Sequence, residues 1–301
     1  SLAAARIVEN LGKKANIVID YESLEEKTKG VVEMLRSNPD YKGLMLTISE
    51  ALEKANKNTL LISVDNHKDS LAISRSVLDK VKNKVIIDHH RRSEEFISSP
   101  VLTYLEPSAS STVELLVELF DYQQHEIEIS SLDATIMYTG MLVDTNYFRQ
   151  HVGTRTFQSA AKLKEAQADL SLAYELLEDS FECMKEIFDI TESAYRYKDR
   201  FLIATGKNEE LSRSTLAKAA NQLVYVSGIY AAFAIGYISK NTVAISARSS
   251  KKVNVQMIME NDALHGGGHF SMAACQIENV TIEEAKERLE HAIDAYLEDR
   301  R

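Results

Sequence analysis

Apolar runs and stretches with helical spacing alternate along the first part of the chain. Runs of strand length at residues 15–19, 59–64, 85–87 and 101–105 are separated by segments whose apolar positions recur every three or four residues. We therefore expect helices at residues 2–11, 24–35, 48–55, 74–81, 111–122, 132–142 and 154–166. This order of strands and helices is typical of a parallel sheet with helices on both faces.

The pattern changes after a long amphipathic stretch at residues 172–190, which we expect to be a helix connecting two domains. Strands predicted at 201–204, 229–238 and 242–247, with helices at 211–222, 255–260, 270–274 and 282–296, describe a smaller α+β unit. The predicted fold class is therefore α/β, with a parallel-sheet domain at residues 1–190, connector included, and an α+β domain at 191–301.

The composition, 45% hydrophobic and 27% charged residues, is that of a globular protein. A formal net charge of −10 does not suit a nucleic-acid-binding surface, so we expect no DNA partner. The two cysteines, Cys183 and Cys275, lie far apart and fit a reducing cytosol better than a disulfide framework. No apolar stretch approaches the ~18 residues of a membrane span and no signal peptide opens the chain. We therefore expect a cytoplasmic domain without direct membrane contact.

Candidate metal ligands follow three apolar segments of the predicted first domain. One segment ends at Asp65, a second at Asp88-His89-His90, and a third at Asp144. The carboxyl ends of strands in an open α/β sheet are where ligands bind. Carboxylate and imidazole ligands suit Mn, Mg or Zn. Taken alone, Asp65 fits a turn cap and Asp144 a helix or turn cap, but the three segments together indicate a divalent-metal enzyme.

A second set of polar positions lies in the predicted second domain. The run Gly266-Gly267-Gly268-His269 precedes the helix predicted at residues 270–274, where backbone N–H groups and the helix dipole would attract an anion. Arg248 follows an apolar strand and suits a bidentate phosphate contact. The alternatives are a flexible hairpin or linker for the glycines and an exposed turn for the arginine.

Three further polar residues have two interpretations each. Asn254 is either a helix N-cap or a contact to a nucleobase. Ser110 and Ser111 open a predicted helix and suit an N-cap, yet their hydroxyl and N–H groups could instead face a substrate in the cleft.

Together these motifs resemble the DHH phosphoesterase superfamily with an appended DHHA1 domain, and within it the GdpP-type cyclic-di-AMP phosphodiesterases. The resemblance rests on residues 64–68, 87–92, 104–112 and 143–157 and, for DHHA1, on Arg248, 253–256 and 266–269. It covers nearly the whole chain.

The resemblance implies a site for two metal ions, usually Mn²⁺, with Mg²⁺ or Co²⁺ as substitutes. Asp65 would bridge both ions, and His89 and Asp144 would complete the coordination of one of them. His90 would face the scissile phosphate, and Asp88 would orient a neighbouring imidazole. The implied contacts to the far phosphate and adenine are Arg248, Asn254, Gly266, Gly267, Gly268 and His269, with Ser110 and Ser111 facing the same cleft.

The implied reaction is hydrolysis of cyclic di-AMP to linear pApA by a water activated between two metal ions. Alternatives are a nanoRNase or pAp phosphatase acting on short linear nucleotides, and a nucleotide-binding sensor that has lost catalysis. An inorganic pyrophosphatase is disfavoured, because the glycine-rich run suggests a DHHA1 domain. The oligomeric state stays open, a homodimer included.

The chain departs from the family pattern at its beginning. The family's first motif, a histidine and two aspartates before an alanine-rich helix, would supply three more ligands, and residues 1–5 resemble only its end. Either the chain begins just after these ligands or the protein lacks them. In the first case we expect a longer parent protein anchored in a membrane by upstream segments. The chain as given is expected to bind metal weakly and hydrolyse slowly. At His265 the family more often has glycine.

Overall fold

The computed structural model describes residues 1–250 and 252–299. Its contacts divide into two compact units, Ser1–Glu178 and Asp179–Arg301. The boundary expected from the sequence, between residues 190 and 191, lies within the helix Phe181–Glu192. That helix packs on a strand and a helix of the second unit, so its contacts assign it there.

The first unit contains two parallel sheets. The larger has three strands, β3 (Leu60–Val64), β4 (Asn83–Asp88) and β5 (Leu102–Leu105), in that order, and the smaller pairs β1 (Ile17–Val18) with β2 (Met45–Leu46). In the β3–β4 register Val64 lies opposite Ile87. Both strands therefore end at one edge of the sheet, where Asp65 and His89 follow them.

Helices pack against both faces of the larger sheet, as the sequence pattern predicts. The helices of this unit are α1 (Leu2–Asn10), α2 (Glu26–Ser37), α3 (Ile48–Lys54), α4 (Arg75–Lys80), α5 (Thr112–Glu118), α6 (Ser131–Asp144), α7 (Thr154–Glu165) and α8 (Leu170–Glu175). Neighbouring strand residues face opposite sides. Ile87 packs with Leu115 of α5 and Met141 of α6, whereas Ile86 packs with Leu78 of α4. Both faces are apolar, and the predicted α/β class is confirmed.

The single helix expected at residues 172–190 is two helices, α8 and α9 (Phe181–Glu192), so that prediction is wrong. Ser180 interrupts the pattern, because its side chain accepts the backbone N–H of Cys183 and caps α9. The amphipathic spacing continues across the break, which is why periodicity alone does not detect it.

The second unit is a six-stranded mixed sheet between two pairs of helices. Its strands are β6 (Tyr195–Tyr197), β7 (Phe201–Glu210), β8 (Ala231–Ser239), β9 (Thr242–Ser249), β10 (Gly267–Gly268) and β11 (Met272–Glu278), in the order β10-β11-β9-β8-β7-β6. Its remaining helices are α10 (Arg213–Val224), α11 (Val255–Met259) and α12 (Ile282–Glu298). Phe233 packs on the face with α11 and α12, and Ala234 on the face with α9 and α10. This agrees with the α+β unit expected from the sequence.

The helix predicted at residues 270–274 is wrong, because residues 270 and 271 lie in a turn and β11 begins at Met272. Ala273, Cys275 and Ile277 are buried and the residues between them are exposed, which is the period of a strand. A tight turn joins β11 to β10, with the His269 N–H bonded to the Met272 carbonyl at 2.6 Å. Alanine and methionine are good helix formers, but helix propensity is a weak determinant of structure and the pairing with β9 overrides it.

The β10–β11 hairpin constrains its glycines unequally. Gly268 has φ +148°, and a Cβ there would lie 2.5 Å from the Met272 carbonyl oxygen and from Ala273 Cα, whereas a Cβ at Gly267 meets no atom within 4 Å. We expect Gly268→Ala to destabilise the protein by about 1–3 kcal/mol and Gly267→Ala to leave the stability within experimental error. Thermal unfolding by calorimetry measures both. Equal melting temperatures for the two variants would contradict this packing.

Candidate active site

Asp65 is the first residue after β3 and adopts a left-handed backbone conformation with φ 64°. Its side chain is half-exposed, accepts a hydrogen bond from Thr112 Oγ1 at 2.8 Å, and lies 3.4 Å from His89 Nε2. The turn is closed by Asn66, whose Oδ1 accepts the Lys68 N–H at 2.9 Å. The Asp65 carboxylate therefore does not cap its own turn, and Oδ1 faces an imidazole instead.

Asp88 is fully buried and holds two histidines. Its Oδ1 lies 2.7 Å from His90 Nδ1 and its Oδ2 lies 2.5 Å from His67 Nδ1. The backbone N–H of Ser93 donates to His67 Nε2 at 3.2 Å, so Nδ1 of His67 carries the proton and donates to Asp88. Burial disfavours the charged form of Asp88, but the hydrogen bonds from His90 and His67 outweigh it and hold the pKa well below its usual range.

The rings of His89 and His90 lie beside each other, with centroids 4.5 Å apart and planes inclined at 55°, and they differ in their hydrogen-bond partners. His89 Nδ1 lies 3.3 Å from the Ala109 carbonyl oxygen, which orients Nε2 towards Asp65. The hydrogen bond to Asp88 raises the pKa of His90. Ligand atoms of Asp65, His89 and His90 lie within 4.8 Å of one another, close enough to hold a metal ion together.

Asp144 is the last residue of α6, at the helix end where a negative charge is disfavoured. Its Oδ2 accepts a hydrogen bond from Ser111 Oγ at 2.5 Å. Burial, reinforced by the negative charge of Asp65, raises the pKa of Asp144 to about 6. The loop after α6 is capped by Thr145, whose Oγ1 accepts the Phe148 N–H at 3.0 Å. Two neighbouring carboxylates, one of them buried, are a donor set suited to a divalent cation, so these residues fit a metal.

Three successive hydroxyl groups at the start of α5 bind three different carboxylates. Ser110 donates to Glu114 at 2.6 Å, Ser111 to Asp144 at 2.5 Å, and Thr112 to Asp65 at 2.8 Å. Ser111 also accepts the Val113 N–H and so caps the helix. Ser110 and Ser111 are buried, so their hydroxyls have protein partners and do not lie at the surface as a substrate contact would require.

Two residues near the site were not selected from the sequence. Thr112 follows Ser110 and Ser111 directly, and this position in the sequence could have indicated that it lies at the same site. His67 lies two residues after Asp65 and is buried, but a lone histidine in a sequence more often belongs to a core or surface than to a site. Its partner Asp88 is 21 residues away along the chain, so only the fold reveals their contact.

In the second unit, Arg248 lines a pocket of about 360 Å³. The other polar or glycine residues in its lining are Arg213, Ser246, Gly267, Gly268 and Gln276. The Arg248 guanidinium donates to the Ala247 carbonyl at 2.9 Å and lies 3.3 Å from Ser246 Oγ, and burial lowers its pKa. Within residues 1–250 and 252–299 no carboxylate forms an ion pair with it. The pocket therefore holds a partly buried positive charge suited to an anion.

The remaining predicted residues of this unit have structural contacts. Asn254 caps α11 by accepting the Gln256 N–H at 3.1 Å, the N-cap alternative of the sequence analysis. Gly266 is packed so that a Cβ would lie 2.5 Å from the Ala274 carbonyl oxygen, and His269 lies exposed in the hairpin turn. Gly267 and Gly268 form strand β10 and lead into strand β11 rather than into a helix. The expected attraction of an anion to a helix dipole at this position is therefore wrong.

In the described part of the chain, no helix combines the length and apolar character needed to cross a membrane.

Comparisons with known proteins agree with this architecture. A model of the DHH family, N-terminal domain, matches residues 1–141, and a DHHA1 domain model matches residues 198–299. Cyclic-di-AMP phosphodiesterase PdeA of Listeria monocytogenes serotype 1/2a (strain 10403S) is 39% identical over 297 residues, covering 98% of this chain and 45% of the relative. Cyclic-di-AMP phosphodiesterase GdpP of Bacillus subtilis (strain 168) is 38% identical over 301 residues, covering 99% of this chain and 45% of the relative. The chain thus spans about half the length of these relatives.

A solved structure has the same fold. The crystal structure of an exopolyphosphatase-related protein from Bacteroides fragilis aligns with a TM-score of 0.78 and 20% identity, covering 98% of this chain and 86% of that one. The resemblance inferred from the motifs is confirmed by the two domain matches and by the two relatives. The chain therefore belongs to the DHH family and carries a DHHA1 domain after its DHH domain.

Proposed function

We propose that this chain is the catalytic part of a metal-dependent phosphodiesterase that hydrolyses cyclic di-AMP to linear pApA. The observation that carries the proposal is the group formed by Asp65, His89 and His90 at the sheet edge, with Asp144 beside it. The two relatives named as cyclic-di-AMP phosphodiesterases match nearly the whole chain at 38–39% identity, which supports this substrate.

Asp65, His89 and Asp144 would hold the metal. Oxygen and imidazole donors are compatible with Mn²⁺, our proposed cofactor, and with Mg²⁺ or Co²⁺ as substitutes. When bound, the metal supplies an activated water and neutralises negative charge on the phosphate. The hydroxyls of Thr112 and Ser111 hold the two carboxylates in place by hydrogen bonds that leave other oxygen lone pairs for ligation.

His90 would bind the scissile phosphate. Asp88 accepts a hydrogen bond from its Nδ1, which fixes the ring and leaves Nε2 to face a ligand. The raised pKa of His90 favours a protonated ring that donates to a phosphate oxygen. His89 differs, because the Ala109 carbonyl fixes its Nδ1 and orients Nε2 towards Asp65. One imidazole would therefore serve the metal and the other the substrate.

The Arg248 pocket would bind the substrate's other phosphate and its adenine. A volume of about 360 Å³ is at the lower end of the range for small-ligand pockets, roughly 300–1,000 Å³. The pocket also contains Arg213 and Gln276, joined by a hydrogen bond of 2.9 Å, and the open backbone of Gly267. An anionic group would offset the desolvated charge of Arg248, and the apolar lining would contact a base.

The reaction is tested by single-turnover assays with enzyme in excess, which measure slow rates. With Mn²⁺ we expect cyclic di-AMP to give pApA, linear pApA and pAp to react more slowly, and EDTA to stop the reaction because the metal ligands supply no nucleophile themselves. Chromatography of the products follows all three substrates. Hydrolysis of the linear nucleotides alone would favour a nanoRNase or pAp phosphatase, and tight binding without hydrolysis would favour a sensor.

The assignment of ligands predicts a difference between the two adjacent histidines. His89→Ala and Asp144→Ala should lose both bound Mn²⁺ and turnover, whereas His90→Ala should keep the metal and lose turnover, by about 100-fold or more if the ring donates a proton. Elemental analysis and single-turnover rates measure the two effects, with circular dichroism as the control for folding. Loss of metal from His90→Ala to the same extent would assign His90 to the metal as well.

The second unit should determine substrate affinity. A charge-assisted Arg–phosphate contact contributes roughly 1.5–3 kcal/mol, so Arg248→Ala should weaken cyclic di-AMP binding about ten- to a hundredfold. Gly267→Ala, expected to leave the stability unchanged, should also weaken binding if a phosphate approaches that backbone. Isothermal titration on a His90→Ala background, in which turnover is expected to be slow, compares both variants with His90→Ala alone. An affinity equal to that of His90→Ala in both variants, with Mn²⁺ binding intact, would remove this pocket from the substrate site.

A further inference from the structure

Glu114 is a buried carboxylate that contacts neither a candidate metal ligand nor the surface. Only 2% of the residue is exposed. Its Oε2 accepts three hydrogen bonds, from the Ser110 N–H at 3.2 Å, from Ser110 Oγ at 2.6 Å and from Thr156 Oγ1 at 2.8 Å. Arg155 Nε lies 3.7 Å from Oε1. A carboxylate buried with this many donors holds its neighbours in a fixed arrangement.

The residues that Glu114 holds are joined directly to the candidate metal site. The two residues after Ser110 donate to both carboxylates, Ser111 to Asp144 and Thr112 to Asp65. A hydrogen bond fixes which carboxylate oxygen is engaged and how the group is rotated. A shift of the backbone at Ser110 would therefore move the donors to both carboxylates together.

We propose that Glu114 is a positioning residue of the metal site, acting through the segment 110–112 on Asp65 and Asp144. The proposal rests on the proposed function, because it supposes that these two carboxylates bind metal. Thr156 extends the arrangement, since it donates to Glu114 and accepts the Gly153 N–H at the start of α7. Hydrogen bonds to Glu114 thus connect the start of α5 with the start of α7, next to the hydroxyls that donate to Asp65 and Asp144.

The competing explanation is that Glu114 only stabilises the first turn of α5. The chain provides a matched control in α3, where Glu50 accepts the Thr47 N–H at 2.8 Å and Thr47 Oγ1 at 3.0 Å. Glu50 occupies the same third position of its helix as Glu114 does of α5. None of its hydrogen bonds among the described residues involves a candidate metal ligand or the segment 110–112.

The experiment compares Glu114→Ala, Glu114→Gln and Glu50→Ala in the whole chain. Mn²⁺ affinity is measured by electron paramagnetic resonance titration, and the melting temperature of the metal-free protein is measured separately. Removing a group hydrogen-bonded directly to a metal ligand typically weakens metal binding about 10–100-fold, and because Glu114 acts through the segment 110–112 we expect about the lower end of that range for Glu114→Ala. Glu114→Gln keeps one acceptor oxygen and should fall between this variant and the wild type. Glu50→Ala should lower the melting temperature and leave Mn²⁺ affinity within about twofold of the wild type.

The two proposals fail in different ways. Wild-type Mn²⁺ affinity in Glu114→Ala, or an equal loss in Glu50→Ala, would overturn the positioning role. If Glu114→Ala does not fold, Glu114→Gln and Thr156→Val decide the question, and unchanged affinity in both would overturn it. Mn²⁺ binding that depends on Glu114 in a wild type that hydrolyses no cyclic di-AMP would support the positioning role and overturn the proposed reaction. A wild type that binds no Mn²⁺ would overturn both.

Discussion

The parallel pairing of β3 with β4 is the constraint on which the candidate site depends. The Asp65 N–H donates to the Ile87 carbonyl at 2.9 Å, which extends the ladder by one residue beyond β3. Since the strands are parallel and end together, Asp65 and the residues after Ile87 meet at one edge. A slip of one residue would turn every side chain of β3 to the other face and separate Asp65 from His89. The apolar residues on both faces prevent that slip, so core packing positions the polar site.

Negative charge is concentrated at this edge, and the surrounding residues partly offset it. Burial and the negative charge of Asp65 raise the cost of ionising Asp144, and α6 presents its negative end to that carboxylate. Neutral hydroxyls supply their hydrogen bonds, since Ser111 and Thr112 add no charge. Asp88, by contrast, is stabilised as an anion by two imidazoles and by the His90 N–H. Asp65 and Asp144 receive hydrogen bonds only from neutral hydroxyls in this segment, so a bound cation would offset their negative charge. Asp88 already has its partners and orients the rings of His67 and His90.

Much of the fold could be predicted from the sequence, because amphipathic spacing and strand-length apolar runs are local. The three polar ends at Asp65, Asp88 and Asp144 could be recognised for the same reason. The break before α9 could not be predicted, because Ser180 caps a helix within a continuous amphipathic pattern. The strand β11 could not be predicted either, because it depends on pairing with β9. Short-range patterns also cannot show contacts between distant residues. The bond of His67 to Asp88 and the bond of Thr156 to Glu114 exist only once the chain is folded.

The two units have opposite electrostatic requirements. The first unit presents Asp144, a carboxylate whose ionisation is disfavoured, and a divalent cation would offset that cost. The second presents Arg248, a desolvated cation without a carboxylate partner among the described residues, which an anion would relieve. In a chain of net charge −10 an anionic substrate gains nothing from the overall field, so its affinity must come from such local groups. A divalent cation would satisfy the first requirement and an anionic group such as a phosphate the second, whereas a neutral ligand would satisfy neither. This charge pattern is a physical argument for the proposed phosphoester substrate that does not depend on any relative.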